Sequence, residues 1–189
     1  GSVSASPLQM ASVFATIANS GQQCKPQSIE SVTDRDENVL KEFAADCKEV
    51  ISPDVANKTA ALLTASAGQY YTSTRLGDGR PFAAKSGTTD GHANTWLTGF
   101  TPSLATSTWV GHGDNSSQEV SGVVINGVYH SEIFGETYVG QNIWAPYMTQ
   151  ALAGTPIEAV SNANIGATTP QRGTTPTPAP SASPNSNDH

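Results

Sequence analysis

The residues best suited to chemistry form one short run, in which a lysine precedes a glycine and several hydroxyl residues. The run is Lys85-Ser86-Gly87-Thr88-Thr89, and it follows the apolar residues 81–84. A lysine ammonium and neighbouring hydroxyls can bind an anionic ligand, and a glycine lets a ligand or another backbone approach closely. In a strand, the backbone N–H groups can also donate to an oxyanion that develops during a reaction. The run therefore predicts an anion-binding strand.

The residues after this run predict the sheet that positions it. A polar turn is followed by two strand-like runs, residues 94–100 and 106–110. Both are rich in aromatic and β-branched residues, which is typical of strands. We interpret the tryptophans as packing residues rather than as platforms for ligand stacking: Trp96, Trp109 and Trp144.

Two helices begin with the same signal, a serine N-cap followed by a proline at the first helical position. The first follows Ser6, where Gln9 completes a capping box, and we expect it to end with Gly21 as a left-handed C-cap. The second follows Ser52 and is expected to stop at Gly68.

Two cysteines, Cys24 and Cys47, flank a predicted hairpin. Residues 27–43 have a strand-like pattern on both sides of a polar turn at 34–38. Because the ends of a hairpin lie close together, we expect a disulfide, with two unrelated thiols as the alternative. The bridge stabilises by about 3 kcal/mol on the chain-entropy model. It also indicates an oxidising compartment.

The last part of the chain predicts a hairpin closed at Asn126-Gly127, a helix and a tail. Pro146 must lie in the first turn of that helix, because further in it would remove a helical hydrogen bond. Its predicted apolar face consists of Ile143, Trp144, Tyr147, Met148, Ala151 and Leu152. Half of the 12 prolines lie beyond Gly154, where no aromatic residue occurs. We therefore predict a domain at 1–153 and a disordered or linker tail at 154–189.

Composition excludes several classes of function. The net charge of −7 argues against a nucleic-acid partner, which requires a basic surface. No apolar run approaches the ~20 residues of a transmembrane helix. No cysteine and histidine spacing matches a zinc site, and His130-Ser131-Glu132 lacks the cysteine pair of a deaminase signature. We predict no metal and no cofactor.

Taken in order, these pieces resemble the C-terminal half of the transpeptidase domain of bifunctional, or class A, penicillin-binding proteins. The matching segments are residues 6–11, 18–21, 51–53, 85–89, 96–102, 109–111, 134–135 and 143–144. The resemblance covers about residues 3–153. It implies an α+β fold of the penicillin-binding protein and serine β-lactamase type, with an antiparallel sheet flanked by helices.

The chemistry of that family uses Ser-x-x-Lys, Ser-x-Asn and Lys-Thr/Ser-Gly motifs. Only the third is present in a structured context, because no serine stands three residues before a lysine. The single Ser-x-Asn, at residues 183–185, lies in the proline-rich tail and is best explained by chance. We expect the nucleophile on the N-terminal portion of the same domain, as a separate or removed chain, and expect this chain alone to be inert.

The resemblance implies roles for the third motif. Lys85 supplies positive charge beside the Ser-x-Asn serine, and the Ser86 and Thr88 hydroxyls hold the carboxylate of a β-lactam or stem peptide. The Thr88 N–H is one of two groups that donate a hydrogen bond to the oxyanion. Loss of such a donor raises the activation free energy by about 3 kcal/mol. Gly87 and Thr89 complete the predicted substrate-binding set.

The implied function is peptidoglycan D,D-transpeptidation through an acyl-serine, inhibited by β-lactams, at the extracytoplasmic face of the bacterial cell membrane. The implied parent also carries a glycosyltransferase and a membrane anchor. Alternatives are a D,D-carboxypeptidase or serine β-lactamase of the same fold, a non-catalytic penicillin-binding sensor, or a wall-interaction module acting through its tail.

Three polar residues near the motif have two interpretations each. Tyr71 and Arg75 either contact substrate or reflect the polarity of the predicted loop at 69–80, and His92 either lines the cleft or lies in a solvated turn. His112 and Asp114 have the pattern of turn residues.

Overall fold

The computed structural model describes residues 3–115 and 117–161. Its helices are α1 (Pro7–Ala18), α2 (Pro53–Tyr70) and α3 (Ala145–Ala151), with a π-helix at Gly135–Trp144 running directly into α3. Its strands are β1 (Gln22–Cys24), β2 (Ser31–Thr33), β3 (Val39–Glu42), β4 (Cys47–Glu49), β5 (Ala83–Thr88), β6 (Asn94–Thr101), β7 (Leu104–Gly111), β8 (Ser121–Ile125) and β9 (Val128–Glu132). All pairings are antiparallel, so the predicted α+β class is confirmed.

The start of α1 is the predicted one, but its end differs. The Ser6 N–H donates to Gln9 Oε1 at 2.8 Å and the Gln9 N–H donates to Ser6 Oγ at 3.2 Å, which is the predicted capping box. The C-cap is Asn19, not Gly21. Gly21 lies beyond the helix with φ of +92°, where a Cβ would overlap the carbonyl oxygen of Ile51. The Gly21 N–H still donates to the Thr16 carbonyl at 2.8 Å, so this residue helps to close the helix end, and the close approach to Ile51 also requires a glycine.

Helix α2 begins after Ser52 as predicted and continues past Gly68, so the predicted stop there is wrong. Nothing lies within 4 Å of a Cβ built on Gly68, so the glycine is simply an exposed helical position. The helix ends at Tyr70, and the C-cap residue Tyr71 donates its N–H to the Ala67 carbonyl at 3.0 Å. Burial of the Tyr71 ring outweighs the roughly 1 kcal/mol that a helical glycine costs.

Residues 22–49 form a long, exposed two-stranded arm, as β1 pairs with β4 and β2 pairs with β3. The outer β2–β3 hairpin was predicted, whereas the inner β1–β4 pair was not. Cys24 lies directly opposite Cys47, and the predicted disulfide joins them. A Lys25–Asp46 ion pair lies next to the bridge.

The central sheet has the order β5-β6-β7 and separates two hydrophobic clusters. On one face, α1 packs through Phe14 onto Phe100, with ring centroids 6.3 Å apart. On the other face, Leu97 and the fully buried Trp144 lie among residues of α2, the π-helix and α3. The Trp144 Nε1–H donates to the Thr106 carbonyl at 3.2 Å, which confirms Trp144 as a packing residue.

The final helix has a smaller apolar face than predicted. Trp144, Met148 and Leu152 are buried, but Ile143 and Tyr147 are 38% and 54% exposed. The reason is the π-helix, because its wider turn changes the phase of the residues that enter α3. Pro146 lies in the first turn, as predicted.

The predicted boundary after residue 153 is too early. Arg80, only 5% exposed, donates to the Leu152 carbonyl and to both oxygens of Thr155 at 2.9–3.2 Å, and Val160 is buried beside Phe14. Thr155 and Val160 therefore contact the domain, whereas residues 156–159 between them are exposed. The rest of the predicted tail, from residue 162, lies outside the described residues. Within 3–115 and 117–161, no helix combines the length and apolarity needed to cross a membrane.

Candidate active site

The predicted anion-binding run, residues 85–89, forms the end of strand β5 and the residue after it, at one edge of the central sheet. Among the described residues, β5 pairs with β6 on one side, with Lys85 opposite Thr98 and Gly87 opposite Trp96. The predicted anion-binding strand is therefore an edge strand, open along its other side. An edge strand offers backbone N–H and C=O groups to a ligand that lies alongside it.

Hydrogen bonds show which backbone groups face the open edge. The Thr89 N–H donates to the Asn94 carbonyl at 3.0 Å, whereas the Ser86 N–H points away from β6 and donates to the Tyr71 hydroxyl at 2.8 Å. In an antiparallel ladder, this direction alternates from residue to residue. The N–H of Thr88 therefore has the same direction as that of Ser86, toward the open edge. The predicted oxyanion-donor role of Thr88 requires this direction.

The side chains of the run lie on both sides of this edge. By strand alternation, Lys85 and Gly87 face the α1 side of the sheet, and Ser86 and Thr88 face the other side. Lys85 is exposed, and its ammonium donates to the Ser86 carbonyl at 2.9 Å. The Thr89 hydroxyl instead accepts from the Asn94 N–H at 3.0 Å, so it holds the turn. A ligand along the edge would therefore meet the ammonium and the Ser86 and Thr88 hydroxyls from opposite sides.

A cavity of about 650 Å³ adjoins this edge on the α1 side. Its lining combines apolar groups of α1 and the preceding residues with the β5 run and neighbouring strands: Val3, Ser4, Ala5, Pro7, Met10, Phe14, residues 85–89, Asn94, Trp96, Thr98 and Trp109. Among these, Lys85 carries the formal charge. A cation beside an apolar wall attracts an anionic ligand more strongly than it would in open water.

Trp96 and Trp109 form part of the wall. Their ring centroids are 6.3 Å apart, and the Trp109 Nε1–H donates to Asn94 Oδ1 at 3.0 Å. They pack on each other, as predicted, but both stay half-buried because they lie on the face that the cavity opens.

Gly135 brings the start of the π-helix against the site. A Cβ there would overlap the carbonyl oxygen of Trp96 and lie 3.0 Å from Ser86 Cβ. Because Gly135 has no side chain, the start of the π-helix can pack directly against Ser86 and Trp96. Gly135 was part of the matching segment at 134–135, but nothing in the sequence located it beside Ser86.

Tyr71 is the site residue that sequence reasoning left open. It is 4% exposed, and its hydroxyl lies 2.8 Å from the Ser86 nitrogen and 3.3 Å from Ser86 Oγ. Ala67 and Tyr71 are four residues apart and both are buried. A helical pattern continued past Gly68 would therefore have placed Tyr71 on the buried face of α2.

The other open residues lie apart from the cavity lining. His92 packs edge-on against Phe134, with ring centroids 5.1 Å apart, in a turn where its carbonyl accepts from the Val120 N–H at 3.0 Å. This favours the turn interpretation of His92. Arg75 and Asp114 are exposed.

Comparison with known proteins agrees with this geometry. The family model described as the penicillin binding protein transpeptidase domain matches residues 1–127. Penicillin-binding protein 2D of Bacillus subtilis is 34% identical over 163 residues, covering 79% of this chain and 21% of that protein. Penicillin-binding protein 1A of Mycolicibacterium smegmatis is 34% identical over 159 residues, covering 80% and 19%.

A solved structure extends the likeness to three dimensions. PonA1 from Mycobacterium tuberculosis, in complex with penicillin V, has a TM-score of 0.67 and 30% identity, covering 85% of this chain and 43% of that one. The chain thus spans about a fifth of the length of the curated relatives above, and under half of the PonA1 chain. By motif order, fold and relatives, it belongs to the penicillin-binding protein transpeptidase family, of whose domain it carries a part.

Proposed function

We propose that this chain, together with the N-terminal portion of its domain, forms a serine-type D,D-transpeptidase that cross-links peptidoglycan stem peptides. The observation that carries the proposal is the open β5 edge, where Lys85, Ser86 and Thr88 lie together beside an apolar cavity. This arrangement suits a ligand with a carboxylate at one end and a reacting carbonyl further along. Family membership and the penicillin V complex of PonA1 support the same assignment.

The reaction divides between the two portions of the domain. A serine hydroxyl of the N-terminal portion loses its proton to a base and attacks the carbonyl carbon of the D-Ala–D-Ala bond. The resulting oxyanion accepts a hydrogen bond from the Thr88 N–H. This bond lowers the activation free energy by about 3 kcal/mol. Collapse breaks the C–N bond and releases D-alanine with a proton. An amine of a second stem peptide then attacks the acyl-serine, forms the cross-link and frees the serine.

In this scheme, the side chains of β5 bind the substrate before the reaction begins. Lys85 and the hydroxyls of Ser86 and Thr88 bind the terminal carboxylate, and Gly87 allows the ligand to lie close to the strand. A β-lactam presents a carboxylate and a strained amide in the same relation, so it acylates the same serine. Thr89 contributes through its backbone, because its hydroxyl holds the turn.

The disulfide between Cys24 and Cys47 supports an extracytoplasmic location, since such bridges persist in oxidising compartments. The class A resemblance supports a parent that also carries a glycosyltransferase and a membrane anchor. For the proline-rich residues from 162 onward, we propose a linker role.

The test uses the complete domain, with both portions present, incubated with penicillin and measured by intact mass under denaturing conditions. One penicillin mass should appear on the N-terminal portion and none on residues 1–189. Lys85→Ala should lower the acylation rate at least tenfold, because one charge-assisted contact is lost. Lys48→Ala, on exposed strand β4, is the matched control and should leave the rate unchanged.

Product analysis separates this function from its alternatives. Release of D-alanine with dimeric product indicates transpeptidation, whereas release without dimers indicates a carboxypeptidase. Rapid turnover of penicillin indicates a β-lactamase. A stable adduct without any peptide turnover indicates a sensor, and no adduct at all on the complete domain would refute the proposal.

A further inference from the structure

Tyr71 is held rigidly between α2 and the candidate site. Its N–H donates to the Ala67 carbonyl at 3.0 Å and its carbonyl accepts from the Thr74 N–H at 2.9 Å. Its ring lies in the same hydrophobic cluster as Leu97 and Trp144. Because both backbone groups and the ring are fixed, the hydroxyl has one available position, beside Ser86 at the open edge.

The hydrogen bonds of the Tyr71 hydroxyl determine the orientation of the Ser86 hydroxyl. Its oxygen accepts the Ser86 N–H at 2.8 Å, so the single phenolic proton is left to donate to Ser86 Oγ at 3.3 Å. A serine hydroxyl that already accepts a proton directs its own proton elsewhere. The Ser86 hydroxyl is therefore oriented as a donor, which is the polarity that a carboxylate requires.

Tyr71 also limits where a ligand can pair with the strand. The Ser86 N–H is taken by Tyr71 and the Ser86 carbonyl by the Lys85 ammonium at 2.9 Å, so both edge-facing backbone groups of Ser86 are satisfied by side chains. The next residue with edge-facing groups is Thr88. A strand-like ligand therefore pairs at Thr88 and not one step earlier, which sets its register.

We propose that Tyr71 is a positioning residue: it orients the Ser86 hydroxyl toward a ligand carboxylate and excludes ligand pairing at Ser86. The inference rests on the proposed function, since it specifies how the same edge recognises a carboxylate. It extends that function to a residue outside the Lys-Ser-Gly-Thr run.

The decisive variant is Tyr71→Phe in the complete domain, which removes one oxygen and keeps the ring. Tyr70→Phe is the matched control, because Tyr70 is the adjacent tyrosine and is 66% exposed. With a carboxylate-bearing penicillin, Tyr71→Phe should lower the second-order acylation rate about five- to tenfold, whereas Tyr70→Phe should leave it unchanged.

A double-mutant cycle with Ser86→Ala separates positioning from a merely structural role. If Tyr71 acts through the Ser86 hydroxyl, Tyr71→Phe should cost nothing further once that hydroxyl is absent. Fully additive losses, or equal rates for Tyr71→Phe and wild type, would overturn the proposal.

Amide hydrogen exchange on the wild-type domain provides a measurement that does not depend on any variant folding. Without ligand, the Ser86 amide should exchange more slowly than the Thr88 amide, because Tyr71 protects it. Equal exchange at the two amides would contradict the proposal. A wild-type domain that penicillin does not acylate would refute the proposed function instead, and the exchange result would still test the Tyr71 contact.

Discussion

Replacing Gly135 with alanine is the sharpest test of how the fold supports the site. Gly135 starts the π-helix at the point where that helix touches both β5 and β6. The added methyl group would approach the carbonyl oxygen of Trp96 to less than 3.0 Å, a separation that real Cβ atoms essentially never show. It would also lie 3.0 Å from Ser86 Cβ and 3.1 Å from the Trp96 carbonyl carbon.

The size of the destabilisation depends on which atoms the added methyl group would overlap. All three are backbone atoms or a Cβ within the paired strands, so no side-chain rotation relieves the overlap and a strand or the π-helix must move. Overpacking of this kind costs about 1–3 kcal/mol, and we expect the upper end. For a domain of 150–250 residues, about 3 kcal/mol corresponds to a melting temperature lower by about 6–12 °C.

Gly68→Ala is the matched control. Its Cβ would meet nothing within 4 Å, and the residue lies inside α2. Replacing a helical glycine with alanine stabilises by about 0.5–1 kcal/mol, because the unfolded chain loses freedom and the helix keeps its geometry. The same substitution should therefore have opposite signs at the two positions.

The assays are thermal and urea denaturation of the complete domain, with the rate of β-lactam acylation measured in parallel. The acylation rate should fall in Gly135→Ala, because the shift displaces Ser86, and stay unchanged in Gly68→Ala. A Gly135→Ala variant as stable and as reactive as wild type would refute the view that this contact sets the position of Ser86.

Four further predictions concern contacts outside the site and the last residues of the chain. Arg80→Ala should cost about 2–3 kcal/mol in urea denaturation, because the hydrogen bonds from the buried guanidinium to the Leu152 carbonyl and to Thr155 are lost. Hydrogen bonds from Arg80 lower the pKa of Asp78 below its ordinary value of 3.8, so the carboxylate contributes stability above that pH and loses it as the pH falls through the lowered pKa. The stability advantage of wild type over Asp78→Asn should accordingly shrink in acid below pH 3.8; a constant difference would contradict this. Reducing the Cys24–Cys47 bridge should destabilise the arm by up to about 3 kcal/mol, seen as faster proteolysis there with little change in the melting of the core. Deleting residues 162–189 should leave acylation unchanged, and a loss would show that the tail contributes to the site.

Short-range signals predicted the elements that depend on neighbouring residues. The Ser6 and Ser52 N-caps and the Asn126-Gly127 turn occur where expected, because each depends on backbone geometry within about four residues. The ordered motifs likewise predicted the family, which the relatives confirm.

Predictions that depended on distant contacts were less successful. The stop at Gly68 was wrong because Tyr71, further along, is anchored in the core and extends the helix. The boundary after residue 153 was too early because Arg80 and Thr155, far apart in sequence, are hydrogen-bonded to each other.

The sequence by itself determined which residues can do chemistry and that β5 is a strand, since residue type and local pattern decide both. Only the tertiary structure decided that β5 is an edge strand, that the N–H of Thr88 faces the open side, and that Tyr71 occupies the edge beside Ser86. The direction of a backbone group is set by which neighbour a strand pairs with, and that choice results from packing across the whole chain. A local pattern contains the period of a strand but not the identity of its partner.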